Sequence, residues 1–147
     1  MFKRILVPTD GSTLSSNTVL RAIGFAKETD AHLTFFYAKP DYPVAFYGEG
    51  ALIDPTTPET FATMSDEQAA EILQRCEALA KEADVACDSL SVTSSIPYEA
   101  IIAAALSTNC DLIFMASHGR RGISGLLLGS ETQKVLTHSK IPVLVYR

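Results

Sequence analysis

The sequence predicts an α/β protein built on a doubly wound, five-stranded parallel sheet, and two features carry that expectation. Five short runs rich in β-branched and aromatic residues alternate with four longer segments whose apolar residues recur at helical spacing. Turn-forming proline, glycine, aspartate and serine punctuate the joins between them. In strict alternation each helix carries the chain back to the same end of the sheet, so successive strands run parallel.

Lys3-Arg4-Ile5-Leu6-Val7 reads as the first strand, and Pro8, Asp10, Gly11 and Ser12 supply the turn after it. From Ser15 to about Glu28, the apolar Val19, Leu20, Ile23 and Ala26 mark a helix. Ala31 to Ala38 is the second strand. The segment Lys39 to Met64 contains Pro40, Pro43, Pro55 and Pro58 with Gly48 and Gly50, and is too long for an ordinary connection, so it reads as a loop excursion. Ser65 or Asp66 is then expected to cap a helix carrying Ala69, Ile72, Leu73, Cys76, Leu79, Ala80 and Ala83 on its apolar face. Leu90-Ser91-Val92-Thr93 has the polar face of a strand near a sheet edge. A helix from about Pro97 should turn Ile101, Ile102, Ala105 and Leu106 inward. Asp111 to Ala116 is the most apolar strand and belongs in the middle of the sheet. Ser130 opens a helix to about His138, and Ile141 to Tyr146 is the last strand. The expected strand order is 3-2-1-4-5, within one domain spanning residues 1–147.

Composition narrows the function classes. A net charge of −5 over 147 residues argues against a nucleic-acid partner held by charge. No apolar run reaches the roughly 18 residues that a membrane-spanning helix requires. The start Met1-Phe2-Lys3-Arg4 leads into a short apolar run that Pro8 and Asp10 interrupt before it forms a signal-peptide core. Cys76, Cys87 and Cys110 are odd in number and lack metal-ligand spacing, as expected of reduced thiols in a cytoplasmic protein.

Ligands of such sheets lie beyond the carboxyl ends of the strands, where the strand order reverses. With the order 3-2-1-4-5 that point falls between the first and fourth strands, whose following loops carry the unusual chemistry. In the second loop Gly119, Gly122, Gly125 and Gly129 let backbone N–H groups approach an anion, and Ser130 begins a helix whose dipole favours phosphate. Arg120 and Arg121 add positive charge to an acidic chain. The bland alternative is a turn whose glycines serve only tight packing. Ser130-Glu131-Thr132-Gln133 also has the form of a capping box, which would engage the Ser130 hydroxyl in the helix itself. Glu131 suits the helix dipole but repels a nearby phosphate. His118 lacks a neighbouring acid in sequence and a plausible nucleophile beside it, so a triad has no support and a turn role is the simpler reading.

On Val7-Pro8-Thr9-Asp10-Gly11-Ser12, Ser117-His118-Gly119, Leu127-Leu128-Gly129-Ser130 and Pro142-Val143-Leu144-Val145, the chain resembles the universal stress protein family over essentially its whole length. That resemblance implies an adenine nucleotide alpha hydrolase-like fold. The family's nucleotide-binding branch is similar to Gly-x-x-Gly, nine residues, then Gly-Ser or Gly-Thr. Here Ala116-Ser117-His118-Gly119 is followed by nine residues and Gly129-Ser130, so the spacing is kept while Ala116 replaces the first glycine. At a position of positive φ an alanine costs about 1–2 kcal/mol; in extended backbone the cost nearly vanishes. The resemblance implies that Asp10 meets the ribose or base and that Pro8 and Thr9 offer backbone groups. It places Ala38 against adenine, while Met115, Ser117, His118, Gly119, Arg120, Gly129, Ser130, Glu131 and Thr132 complete the nucleotide-binding set. It further implies ATP, ADP or AMP as ligand, Mg²⁺ shared by phosphate oxygens, and a homodimer formed through the C-terminal strand 141–146.

The leading reading is therefore a dimeric, nucleotide-binding regulator or sensor of stress acting on an unidentified protein partner. The competing classes are a slow ATP-hydrolysing enzyme, a binding scaffold without nucleotide, and a flavodoxin-like cofactor protein. Enzymatic turnover finds little support, because Gly-x-x-x-x-Gly-Lys-Ser/Thr and Ser-Gly-Gly-x-Asp-Ser are both absent and no paired carboxylates flank the glycine loop.

Overall fold

In a computed structural model, which describes residues 1–42, 57–119 and 128–147, five parallel strands lie in the order β3-β2-β1-β4-β5. They are β1 (Arg4–Pro8), β2 (His32–Lys39), β3 (Cys87–Thr93), β4 (Leu112–Ala116) and β5 (Val143–Tyr146). The helices are α1 (Thr13–Thr29), α2 (Pro58–Glu82), α3 (Pro97–Ser107) and α4 (Ser130–His138). The order expected from sequence is the one observed.

The two-residue period of the strands divides the core in two. Ile5, Val7, Leu33, Phe35, Leu112 and Phe114 face α1 and α2, where Val19, Ala22, Ile23, Ala26, Ala69, Ile72 and Leu73 meet them. Leu6, Phe36, Ile113 and Met115 face the other way, against Ile101, Ala104 and Ala105 of α3 and Val135 of α4. The three inner strands are thus buried on both sides, as the near-continuous apolar runs require. Among the described residues no helix is long and apolar enough to cross a membrane.

Several element bounds differ from the sequence expectation, each for a physical reason. The α2 helix starts at Pro58, well before Ser65 or Asp66, because Thr57 accepts a hydrogen bond from the Thr60 N–H at 3.1 Å and Pro58 sits in the first turn, where its missing N–H costs nothing. Ser65 is buried inside that helix, while Asp66 pairs with Lys39 at 2.7 Å. Phe61 meets Tyr42 edge-on, with ring centroids 5.5 Å apart. The expected excursion 39–64 therefore keeps neither end: Lys39 finishes β2 and residues 58–64 are helical, while 43–56 lie outside the described residues. Pro8 is the last residue of β1 rather than a stop before it. The polar β3 reaches back to Cys87, because its ladder to β2 runs from Leu33↔Cys87 to Lys39↔Thr93. Leu20 and Leu106, expected inside, are 52% and 61% exposed. The buried positions of their helices are Ser15, Thr18, Val19, Ala22, Ile23 and Ala26 in α1, and Ile101, Ala104 and Ala105 in α3, which turn those leucines to solvent.

The thiols match a core role. Cys76 and Cys110 are buried, Cys87 is half-buried, and all three are free. Burial pushes the Cys76 thiol up to about 11, so it is protonated and a poor nucleophile at neutral pH.

At the opposite end of the sheet from the carboxyl ends, Asp30, Asp84 and Asn109 end or follow α1, α2 and α3 with φ of 53°, 59° and 53°. This left-handed conformation is one that Asn and Asp tolerate and alanine does not. Asn109→Ala should lower stability by about 1 kcal/mol, while Asn109→Gly should be neutral or stabilising. Urea denaturation checks this; equal losses in both variants would contradict the backbone origin.

Candidate functional site

Because β1 lies beside β4, with Ile5↔Leu112 and Leu6↔Ile113 in register, the segments that follow the two strands emerge side by side. This is the reversal point of the strand order, where a cleft forms between chains leaving in opposite lateral directions.

The first wall is the turn 9–12. The Thr9 N–H donates to the Phe36 carbonyl at 2.8 Å, fastening the turn to β2. The hydroxyls of Thr9 and Ser15 are 2.6 Å apart, and the Asp10 N–H donates to Ser15 Oγ at 3.1 Å. Gly11 takes φ 76°, a left-handed conformation suited to glycine. Asp10 Oδ1 accepts from the Ser12 N–H at 2.9 Å, and Ser12 Oγ caps α1 by accepting from Ser15 N–H at 3.2 Å. Asp10 is thus held rigidly by the turn that it organises, with its Oδ2 in the space that a Cβ on Gly119 would need.

The second wall is the end of β4 and the start of α4. Ala116 belongs to the strand, and the positive-φ non-glycine residues are Asp30, Asp84 and Asn109 only, among the described residues. The alanine that replaces the motif glycine therefore stands in extended backbone, where a Cβ is not strained. The Ala116 carbonyl accepts from the buried Thr132 hydroxyl at 3.0 Å. The buried Ser117 donates its N–H to the Tyr146 carbonyl at 2.8 Å, and its own carbonyl accepts from the Gly129 N–H at 2.7 Å. These bonds close the base of the glycine loop and tie β4, α4 and β5 together.

Close approach explains two of the glycines. A Cβ on Gly119 would collide with Asp10 Oδ2, and one on Gly129 would lie 3.0 Å from the His118 α-carbon and 3.3 Å from the Ser117 carbonyl. His118 is half-buried, its Nδ1 3.2 Å from Ser117 Oγ.

The capping-box reading of Ser130 is corrected. Gly129 is the N-cap of α4 and contributes no side chain, so Ser130 is the first helical residue and is exposed. Glu131, the second residue of that pattern, bridges two helices. Its Oε2 accepts from the Tyr98 N–H in the first turn of α3 at 2.9 Å, and its Oε1 pairs with Lys134 at 3.1 Å.

Of the residues singled out in the sequence, Pro8, Thr9, Asp10, Ser117, His118, Gly119, Gly129 and Ser130 converge on the β1–β4 boundary. Ala38 is half-buried at the end of β2, two residues beyond Phe36, to which Thr9 is bonded. Met115 and Thr132 are buried behind the cleft. Arg120 lies outside the described residues, as do Arg121, Gly122 and Gly125. Sequence reasoning missed Ser15, which stitches the first turn, and Tyr98. The available signal for Tyr98 is Ile96, an N-cap residue with no polar side chain, which leaves α3 in need of an acceptor from elsewhere. No group of three or more His, Cys, Asp or Glu stands close enough to hold a metal ion, among the described residues.

The five-stranded parallel sheet in this order, with helices on both faces, has the adenine nucleotide alpha hydrolase-like fold. The universal stress protein family model matches residues 1–147, and the chain belongs to that family. Universal stress protein MJ0531 of Methanocaldococcus jannaschii is 30% identical over 148 residues, covering 100% of this chain and 83% of the relative. Among solved structures, universal stress protein UspA from Lactobacillus plantarum is 25% identical with a TM-score of 0.76, over 99% of this chain and 98% of that one. A universal stress protein solved in complex with cAMP is 26% identical with a TM-score of 0.71, over 99% and 97%.

Two substitutions test whether this wall is built as described. Thr132→Val keeps the shape but loses the bond to Ala116, and should cost about 1 kcal/mol. Gly129→Ala must displace the backbone at His118 and should cost about 1–3 kcal/mol. Thermal unfolding should show a drop of roughly 2–4 °C per kcal/mol for both; an unchanged midpoint in either would contradict the contact concerned.

Proposed function

We propose that this protein binds adenine nucleotides in the β1–β4 cleft and acts as a cytoplasmic, dimeric regulator or sensor of stress. The observation that carries the reading is the pairing of two walls of opposite character. A fixed carboxylate, Asp10, lies against Gly119, while Gly129, packed on the adjacent His118, leaves the start of α4 without a side-chain cap. The carboxylate suits the hydroxyls of a ribose or the amino group of adenine, and the first-turn N–H groups of α4 suit phosphate. The solved relative in complex with cAMP supports an adenine nucleotide as the ligand class.

In this reading Pro8 and Thr9 border the base and Ala38 gives it an apolar surface. Gly119, Gly129 and Ser130 meet the phosphates, with Ser117 and His118 shaping the floor and Arg120 adding charge. Met115 and Thr132 support from behind. ATP with Mg²⁺ is the fullest form of the proposal, the ion being shared by phosphate oxygens; ADP and AMP use the same contacts. The exposed edge of β5 supports a homodimer through residues 141–146, because an edge strand offers unpaired backbone groups to a second copy. Its regulatory partner would read the surface that changes when nucleotide orders the cleft.

Calorimetric titration of the purified protein with AMP and ATP, each with and without Mg²⁺, tests the reading. We expect saturable binding, and a loss of about tenfold in affinity in Asp10→Ala, equivalent to about 1.4 kcal/mol. No binding at millimolar nucleotide would reject it.

A further inference from the structure

We infer that Glu131 sets how many phosphates the cleft accepts, disfavouring triphosphates relative to monophosphates. This inference rests on the nucleotide-binding reading above and adds to it a determinant of specificity.

The α3 helix has Ile96 as its N-cap and no side-chain hydrogen bond of its own there. The acceptor comes instead from the neighbouring helix, as Glu131 Oε2 takes the Tyr98 N–H at 2.9 Å. The second oxygen pairs with Lys134 at 3.1 Å, and the Lys134 ammonium also lies 5.6 Å from the centre of the Tyr98 ring. His138, one turn beyond Lys134, stacks on that ring at 5.1 Å and bonds the Lys134 carbonyl through Nδ1 at 2.8 Å. Glu131 is therefore braced from two helices and cannot swing away without uncapping α3.

That fixed negative charge is one residue from Ser130 and two from Gly129, which open the helix where phosphate is expected. Glu131 is 37% exposed in its side chain, so its charge is neither deeply buried nor fully screened by water. A single phosphate monoester brings about two negative charges, which the helix start offsets in part. Each further phosphate adds charge to the same confined region, where repulsion falls only as the inverse of distance. Glu131 thus penalises additional phosphates while leaving base and ribose contacts alone.

The experiment compares AMP, ADP and ATP by calorimetry, without divalent cations and at low salt, on the wild type, Glu131→Gln and Lys134→Met. Glutamine retains an oxygen for the Tyr98 N–H, so α3 stays capped while the charge is removed. The expected result is a rise of about fivefold in the ratio of ATP to AMP affinity in Glu131→Gln, as for one unit charge at a half-exposed site. Lys134→Met should move the ratio in the opposite direction by exposing the carboxylate's full charge. Both shifts should shrink at high salt, a response that loss of a merely structural contact would not give. A ratio unchanged in both variants, with all nucleotides still binding, overturns this inference and leaves the nucleotide site standing. Absence of binding by every nucleotide to every protein would instead overturn the site itself. Should Glu131→Gln unfold, the sign of the Lys134→Met shift decides the matter alone.

Discussion

The parallel pairing of β1 with β4 is the constraint on which the rest of this structure depends. Both strands are buried on both faces, and each delivers its following loop to the same place at the carboxyl end of the sheet. Because α1 and α2 cover one face while α3 and α4 cover the other, the chain leaves β1 and β4 in opposite directions. The place where such a sheet takes a ligand is therefore set by topology, before any ligand-specific residue is considered.

What the local sequence adds is rigidity and polarity. Thr9, Asp10, Ser12 and Ser15 form a small closed network in which every hydroxyl has a partner, so the Asp10 carboxylate is aimed rather than free to rotate. On the other side, Ser117 and Thr132 spend their bonding capacity inside the protein, anchoring the ends of the glycine loop to β4, α4 and β5. Gly119 and Gly129 are needed because neighbouring atoms already occupy the space of a Cβ. Ala116 is tolerated because strand geometry, unlike a left-handed turn, carries no penalty for a methyl group. The same logic separates the two helix starts at the site. One is left open at Gly129, whereas the start of α3 is closed by a carboxylate borrowed from Glu131.

The parallel sheet was legible from strand–helix alternation, and the most apolar and most polar runs indicated which strands lie inside and which at an edge: Leu112 to Ala116 is an inner strand beside the central β1, and the polar β3 lies at the edge. Side-chain direction was less legible. Leu20 and Leu106 fit an apolar pattern by type but sit at the wrong angle on their helices, which only the buried set around them reveals. The start of α2 was missed because proline-rich composition suggested a loop, although Thr57-Pro58-Glu59 is itself a helix-starting sequence. Within the site, the spacing from Gly119 to Gly129-Ser130 was readable, and so was the neighbourhood of the loops after β1 and β4, but not the direct contact of Asp10 with Gly119. The partners of Ser130 and Glu131 were not: a local capping box and a contact between helices begin with the same four letters. Only the placement of Tyr98 near Glu131, 33 residues apart, distinguishes them.

The central claim is that the two walls at the β1–β4 boundary form one adenine-nucleotide cleft. Amide chemical-shift mapping of the isotopically labelled protein, titrated with AMP, tests it most directly. The largest saturable changes should fall together on Thr9, Asp10, Gly119, Gly129 and Ser130, with Ala38 following. Changes scattered over the surface, or confined to a region away from these residues, would contradict it.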